Sequence, residues 1–408
     1  MYSSRITHIR DRIVPTVIGL YLMSFWMPEY IQGSLIVLTV GAAAAALYAP
    51  TSRQTVWPWP DALVVGFVLS LALSVLYSGH KHVSLLLSTP FFPALLIYLL
   101  LTRFQITERA CWLIYAAMAL GASLFGITIL VNARTMTLDT EQLQKLLSTG
   151  ILVVPNDVLF LAVSLPFILV LAWAAKSGWL KAVAAIAGIL CLATMVILNS
   201  RAALVASLIG TMVFLAVVRS RRWWFAMILG GVAVLVADGI RGFDLLSKFV
   251  QHSLECESRL PLWGAAIRLW MDRPIWGQGA HNFQGLYRAQ IDSLGLPVCA
   301  LVDKRLTPWP HNLFLEVLSS QGLVGAIFLV ALLGWVSLRL YSLTRAKSSP
   351  TQFQAVALLA AWTAFVVAAL VELTFSRYWV VVMFSTLIGL TVAVNSDFET
   401  DRKIWDEE

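Results

Sequence analysis

The chain has 408 residues, of which 59% are hydrophobic and only 12% charged, and its mean hydropathy is +0.80. A water-soluble fold of this length has no use for so much apolar surface, so the bilayer is its natural solvent. The formal net charge of +7 is explained by loop asymmetry, and no nucleic acid is expected as a partner.

A membrane-crossing helix needs about 20 mainly apolar residues. Twelve such runs occur, near 12–30, 31–49, 61–78, 84–101, 110–131, 158–175, 180–198, 202–218, 223–240, 313–338, 352–372 and 377–395. They do not alternate as barrel strands do. The expected fold class is therefore all-α, a single polytopic membrane domain over 1–408 with about twelve transmembrane helices. The first run lacks a small-residue cleavage site and reads as a span, not a cleaved signal.

An even number of spans puts both termini on one side. Loops on that side carry sixteen Lys and Arg residues, from Arg5 to Lys403, against Lys81, Arg134, Lys145, Arg201 and Arg377 in the short loops opposite. The positive-inside rule then places both termini in the cytoplasm. Membrane lipids are the obligatory surroundings.

Two long loops face outward. The first, 132–157, contains LDTEQLQKLL, the pattern of an interfacial helix, and Asn156 and Asp157 suit the cap of the next span. The second, 241–312, holds RLPLWGAAIRLWMD, closed by Pro274 and a turn with Gly277 and Gly279. On a helical wheel Leu260, Trp263, Ile267, Trp270 and Met271 share one stripe. Arg259 and Arg268 fall on its opposite edges, so a straight helix aims only one of them into a small site, and the other snorkels. This amphipathic helix is expected at the outer membrane surface, roofing what lies beneath. Of four cysteines, Cys111 and Cys191 fall inside spans, while Cys256 and Cys299 share the outward loop and leave a disulfide open.

Three places bear chemistry. Arg201, in LNSRAALVAS, stands at the outer end of a span, where an arginine is costly unless it meets water or an anion; its planar fork matches phosphate oxygens. It also reads as an ordinary interfacial charge. His311, in WPHNLFLEVLSSQGLVG, enters a helix at the outer leaflet; imidazole suits general-base work near neutral pH, and it equally suits structural hydrogen bonding. Asn312 is an auxiliary candidate, orienting His311, binding a sugar hydroxyl or capping the helix. Glu316, Gln321 and Gly322 follow without an assigned role. The sequence has no Asp-x-Asp pair, no His-x-x-x-His and no phosphate-binding glycine loop. Neither a metal nor a cofactor is expected, and arginines are left to neutralise any phosphate.

These residues resemble the O-antigen ligase and O-antigen polymerase superfamily of bacterial inner membranes. The resemblance rests on Ser200-Arg201-Ala202, on Arg259-Leu-Pro-Leu-Trp with Pro274, Gly277, Gly279 and Phe283, and on His311-Asn312-Leu with Glu316, Gly322 and Gly325. It implies a GT-C-like helical fold whose long loop is periplasmic and carries catalytic elements. It also implies metal-independent, inverting glycosyl transfer from an undecaprenyl-diphosphate-linked glycan. Arg201 and Arg259, with Arg268 beside them, would hold the diphosphate, and His311 would activate the acceptor hydroxyl. His281 has no expected counterpart.

Within the superfamily, the first expectation is an O-antigen ligase that moves O-polysaccharide onto lipid A-core. The alternatives are a polymerase that joins lipid-linked repeat units and a relative that glycosylates protein. Outside it stands a transporter or flippase, which calls for two similar halves and mid-membrane charges that the sequence does not display. Acceptor, sugar identity, linkage and oligomeric state are left open.

Overall fold

The computed structural model describes residues 12–24, 59–103, 106–135, 157–240, 259–292, 309–345 and 350–407, with a few isolated positions between them. Among the described residues the structure is helical, without strands. The helices are α1 (Val14–Met23), α2 (Trp59–Tyr77), α3 (Lys81–Leu87), α4 (Phe91–Arg103), α5 (Glu108–Thr135), α6 (Leu159–Ala174), α7 (Gly178–Ile197), α8 (Arg201–Val218), α9 (Arg221–Ile240), α10 (Arg259–Asp272), α11 (Phe283–Asp292), α12 (Leu313–Thr344), α13 (Pro350–Val371) and α14 (Tyr378–Glu407).

Seven of these are long and apolar enough to cross a membrane, or eight if α3 and α4, bent by 41° at their junction, form one span. Three shorter apolar helices, Val14–Met23, Leu159–Ala174 and Tyr378–Val394, fall on three further apolar runs. Most of the run near 31–49, most of 132–157, and Cys256 and Cys299 lie outside the described residues. Cys111 and Cys191 are buried free thiols.

Helix α13 is the hub, packed against α6, α8 and α12. Close approach is made possible by small side chains: a Cβ on Gly210 of α8 would stand 2.9 Å from the Ala360 carbonyl and 3.1 Å from Ala364 Cβ. Apolar helices in lipid gain little from burying oil against oil, so small residues that bring backbones together do much of the work. Helix α9 is the opposite case; most of its apolar residues are exposed, Trp223, Trp224 and Met227 are partly buried, and Asp238 alone is fully buried. One end of the bundle is tied by Asp61, which accepts from Tyr98 Oη at 2.6 Å and pairs with Arg103 at 3.2 Å.

The other end carries a cap. Helices α10 and α11 share a separate small core of Leu262, Ala265, Ala266, Leu269, Phe283 and Tyr287, backed by Leu315 of α12. Of the stripe read from the spacing, Leu260, Ile267 and Met271 are exposed, and the face with Leu262, Ala265, Ala266 and Leu269 is buried.

Helix α12 is interrupted at Gly322 (φ 67°, ψ −162°), and the turn that closes α10 fills the gap. Gln278 N and Gly279 N donate to the Ser319 and Ser320 carbonyls at 2.8 and 3.0 Å, while Leu323 N and Val324 N donate to the Pro274 and Ile275 carbonyls at 2.8 and 3.4 Å. Backbone groups freed by the break are thus satisfied inside the protein, the condition for broken helices at membrane depth. Ser74 Oγ adds a bond to the Ser320 carbonyl at 2.7 Å. Both turns require glycine: a Cβ on Gly322 would lie 2.2 Å from the Ile275 carbonyl oxygen, and one on Gly277 2.4 Å from Ser320 O, each at positive φ. Gly322→Ala and Gly277→Ala are each expected to cost about 1–3 kcal/mol from backbone strain alone. The check is thermal unfolding in detergent, where each variant melts below the parent and a helix-surface control such as Gly334→Ala does not.

Candidate active site at the capped end

Glu372 is the residue on which this end converges. It follows the last turn of α13, where its backbone N–H still bonds to Ala368 O at 2.9 Å. Its carboxylate is buried, and it takes two partners from distant parts of the chain. Arg259 Nη2 donates to Oε2 at 2.6 Å, and His311 Nδ1 lies 2.8 Å from Oε1. Burial by itself would raise the Glu372 carboxyl; the hydrogen bonds and positive charge of His311 and Arg259 outweigh that and hold it below its ordinary value. A carboxylate only accepts, so Nδ1 of His311 carries the hydrogen and, in the neutral ring, Nε2 keeps its lone pair.

The backbone at His311 is held in the left-handed region (φ 53°), an uncommon state for a residue with a side chain. Asn312 fixes it. Its Oδ1 caps α12 by accepting from Leu315 N at 3.0 Å, and its Nδ2 donates to the Leu370 carbonyl at 2.8 Å. Of the roles anticipated for Asn312, capping is the one observed, with a tie to the end of α13 added. Trp309 stands against the imidazole, ring centroids 5.6 Å apart, and the Arg377 guanidinium lies 5.0 Å over the Trp309 ring.

Behind this group is a second polar cluster. Glu316, one turn into α12 and buried, accepts from Phe375 N at 3.2 Å and from Ser376 Oγ at 3.5 Å. Ser376 Oγ in turn meets His281 Nδ1 at 2.8 Å. Glu316, Ser319, Ser320, Ser376, Gln278 and His281 line a small cavity between α12 and the cap. Burial lowers the His281 pKa to about 4, so the ring is neutral at neutral pH. Its backbone, like that of His311, has positive φ (60°).

Arg201 opens α8, after Asn199 (φ 49°) and a buried Ser200. Gly210 packs at the level of Ala360–Ala364. From there, nine residues back to Arg201 rise about 13–14 Å, and eight to twelve residues on to Glu372 rise about 12–18 Å. With α8 and α13 three spans apart in an alternating bundle, and so antiparallel, Arg201 is toward the Glu372 end. Of the anticipated residues, Arg259 and His311 are joined through one carboxylate, and Arg201 opens a helix at the same end of the bundle. Arg268 is on the same helix as Arg259, and the Glu372 carboxylate is held by Arg259 and His311. The small cavity is lined by His281 and Glu316, not by the arginines. Among the described residues no three His, Cys, Asp or Glu side chains form a metal-binding group.

Four participants escaped the sequence reading. Glu372 has partners 113 and 61 residues away, and Ser376 and Trp309 are of types that announce nothing. Arg377 was counted only as a loop charge. One signal was present: an acid adjoining an apolar span is costly unless a cation meets it.

The fold and site define a class, a polytopic helical membrane protein with a guanidinium–carboxylate–imidazole group at the capped end of its bundle. Residues 186–330 match the model of a family described as O-antigen ligase, which supports the O-antigen ligase and polymerase superfamily for this chain and a ligase- or polymerase-type function. The matched stretch holds Arg201, Arg259, Arg268, His281, His311, Asn312 and Glu316; it ends before Glu372. No curated protein matches the chain.

Two outcomes follow for stability. Removing one member of a buried pair costs roughly 3–5 kcal/mol when both are fully enclosed; Arg259 is 27% exposed, so Glu372→Gln is expected to cost about 2 kcal/mol, read as a lower melting temperature. The Glu372 contribution is complete above the ordinary carboxyl value of 4.5 and is lost as pH falls through the lower folded value. His281 has the opposite chemistry: its folded pKa of about 4 lies below the ordinary 6.5, so stability declines as pH drops from 6.5 toward 4. Melting curves across pH 7 to 4 should show that decline, and His281→Gln should flatten it.

Proposed function

We propose that the chain is an O-antigen ligase of the bacterial inner membrane, with both termini cytoplasmic and the capped end periplasmic. It transfers O-polysaccharide from undecaprenyl diphosphate to a hydroxyl of lipid A-core. The observation that supports this reading is the bridge Arg259–Glu372–His311, in which a guanidinium suited to phosphate and an imidazole suited to a base share one carboxylate.

In the reaction so proposed, the acceptor oxygen bonds to the anomeric carbon while His311 Nε2 takes its proton. The bond from that carbon to the phosphate oxygen breaks, and the electron pair leaves with the lipid diphosphate. Glu372 holds the imidazole in the right tautomer and stabilises the imidazolium as it forms, a use of a carboxylate familiar from hydrolase triads. Arg201 and Arg259 meet the negative charge that develops on the leaving diphosphate, in a site of low water content where each such group is worth several kcal/mol, on the order of 3. Arg268 is assigned to the outer part of the same diphosphate path.

A single displacement with inversion fits the carboxylates available. Glu372 is engaged by Arg259 and His311, and Glu316 by Phe375 N and Ser376. A double displacement would need a carboxylate free to attack carbon. With cationic side chains offered to the diphosphate, the proposed reaction needs neither a divalent metal nor ATP.

The test is transfer by the purified chain from undecaprenyl-diphosphate-linked O-polysaccharide to lipid A-core, followed as a larger lipopolysaccharide on a gel. Product should form in EDTA without nucleotide. His311→Ala should lower the rate by roughly 10²–10⁴-fold, and Glu372→Gln should lower kcat with a smaller effect on the donor KM. Undiminished transfer by His311→Ala rejects the base assignment. Lipid-linked repeats that lengthen without lipid A-core would identify a polymerase instead.

A further inference from the structure

The charge of the bridge leaves a shortfall. Arg259 shares a carboxylate with the proposed base, but Glu372 pairs with it at 2.6 Å, and the pair is close to neutral. A departing diphosphate needs net positive charge, and a second source stands over Trp309, the ring next to His311. Arg377 is half-buried, with its Cζ 5.0 Å from the centre of the Trp309 ring, whose own centre is 5.6 Å from that of His311. Among the described residues no carboxylate pairs with it. Its Nε is buried without a hydrogen-bond partner, and so is Trp309 Nε1.

Two enclosed N–H donors side by side, one on a cation, are costly unless an acceptor meets them when the protein works. Trp309 is 9% exposed, so water reaches it poorly. Trp263 Nε1, one helical turn beyond Arg259, is a third buried donor lacking a partner. A ligand rich in negatively charged oxygen satisfies donors of this kind, and a planar guanidinium matches phosphoryl oxygens two at a time.

We propose that Arg377, seated on Trp309, is a phosphoryl-binding residue of the site, supplying the positive charge that Glu372 removes from Arg259. The face of Trp309, the ring that also meets His311, keeps the guanidinium in place through cation–π attraction. This rests on the glycosyl-transfer reading for the source of the phosphate: the diphosphate of the donor lipid, or a phosphate carried by the acceptor core.

The experiment measures binding to the full chain in detergent, before any turnover. Probes are undecaprenyl diphosphate, undecaprenyl monophosphate and core oligosaccharide with and without its phosphates. Arg377→Gln should weaken binding of one phosphorylated probe by roughly ten- to a hundredfold. Arg377→Lys, which keeps the charge but not the fork, should recover part of the loss. A loss on undecaprenyl diphosphate assigns Arg377 to the donor; a loss confined to phosphorylated core assigns it to the acceptor. Both support a phosphoryl subsite. Unchanged affinities in Arg377→Gln, with a melting profile matching the parent, overturn it and leave the ligase reading standing. A parent chain that binds no phosphorylated lipid overturns that reading as well.

Discussion

The capped end depends on a buried negative charge. Glu372 sits at the end of the hub helix α13, where an isolated carboxylate would be strongly disfavoured. Two cationic or polarisable partners remove that cost, one from the cap helix α10 and one from the start of α12. The same contact therefore has two consequences. It locks three segments that share no sequence neighbourhood, and it fixes which nitrogen of His311 is left to accept a proton.

That lock works only because the cap is tied to the bundle independently. The break in α12 at Gly322 accepts the 274–279 turn as though it were a neighbouring strand, and four backbone bonds seal it. Asn282 Nδ2 extends the stitching by donating to Ser78 Oγ at 2.6 Å, and Ser84 Oγ donates to the Ala280 carbonyl at 2.7 Å. With the turn anchored on α12 and on the α2–α3 junction, α10 cannot slide along the membrane surface. Arg259, at its first turn, is delivered to a fixed height.

The apolar runs made most helices readable, because lipid forces backbone bonds inside each segment and leaves length and hydropathy as sufficient clues. His311 and Arg259 were legible as chemically unusual residues in a turn-rich setting. Their joining through Glu372 was not, since nothing local distinguishes that acid from a helix-end charge. The stripe on α10 was legible from its spacing, but which side of the helix meets protein was not. At a membrane the outside is apolar as well, and Ala265 and Ala266 allow a closer approach than Ile267 or Met271 would. The break at Gly322 lay in view as a glycine, but only the arriving turn explains its backbone.

The six-residue connection from Glu372 to Arg377 gathers these strands of argument. It presents Glu372 to the base, Phe375 N and Ser376 to Glu316, and Arg377 to Trp309. Its groups engage α10, the 309–311 stretch and α12 together, so the connection has little freedom to move without breaking several bonds at once. Both histidines that it touches have positive φ, a strain of order 1–3 kcal/mol apiece that persists only where surroundings dictate the conformation. A rigid short connection between the last two spans supplies that dictation. His311, the proposed base, is thus held by the helix ends, while the long loop before it contributes Arg259 and the cap.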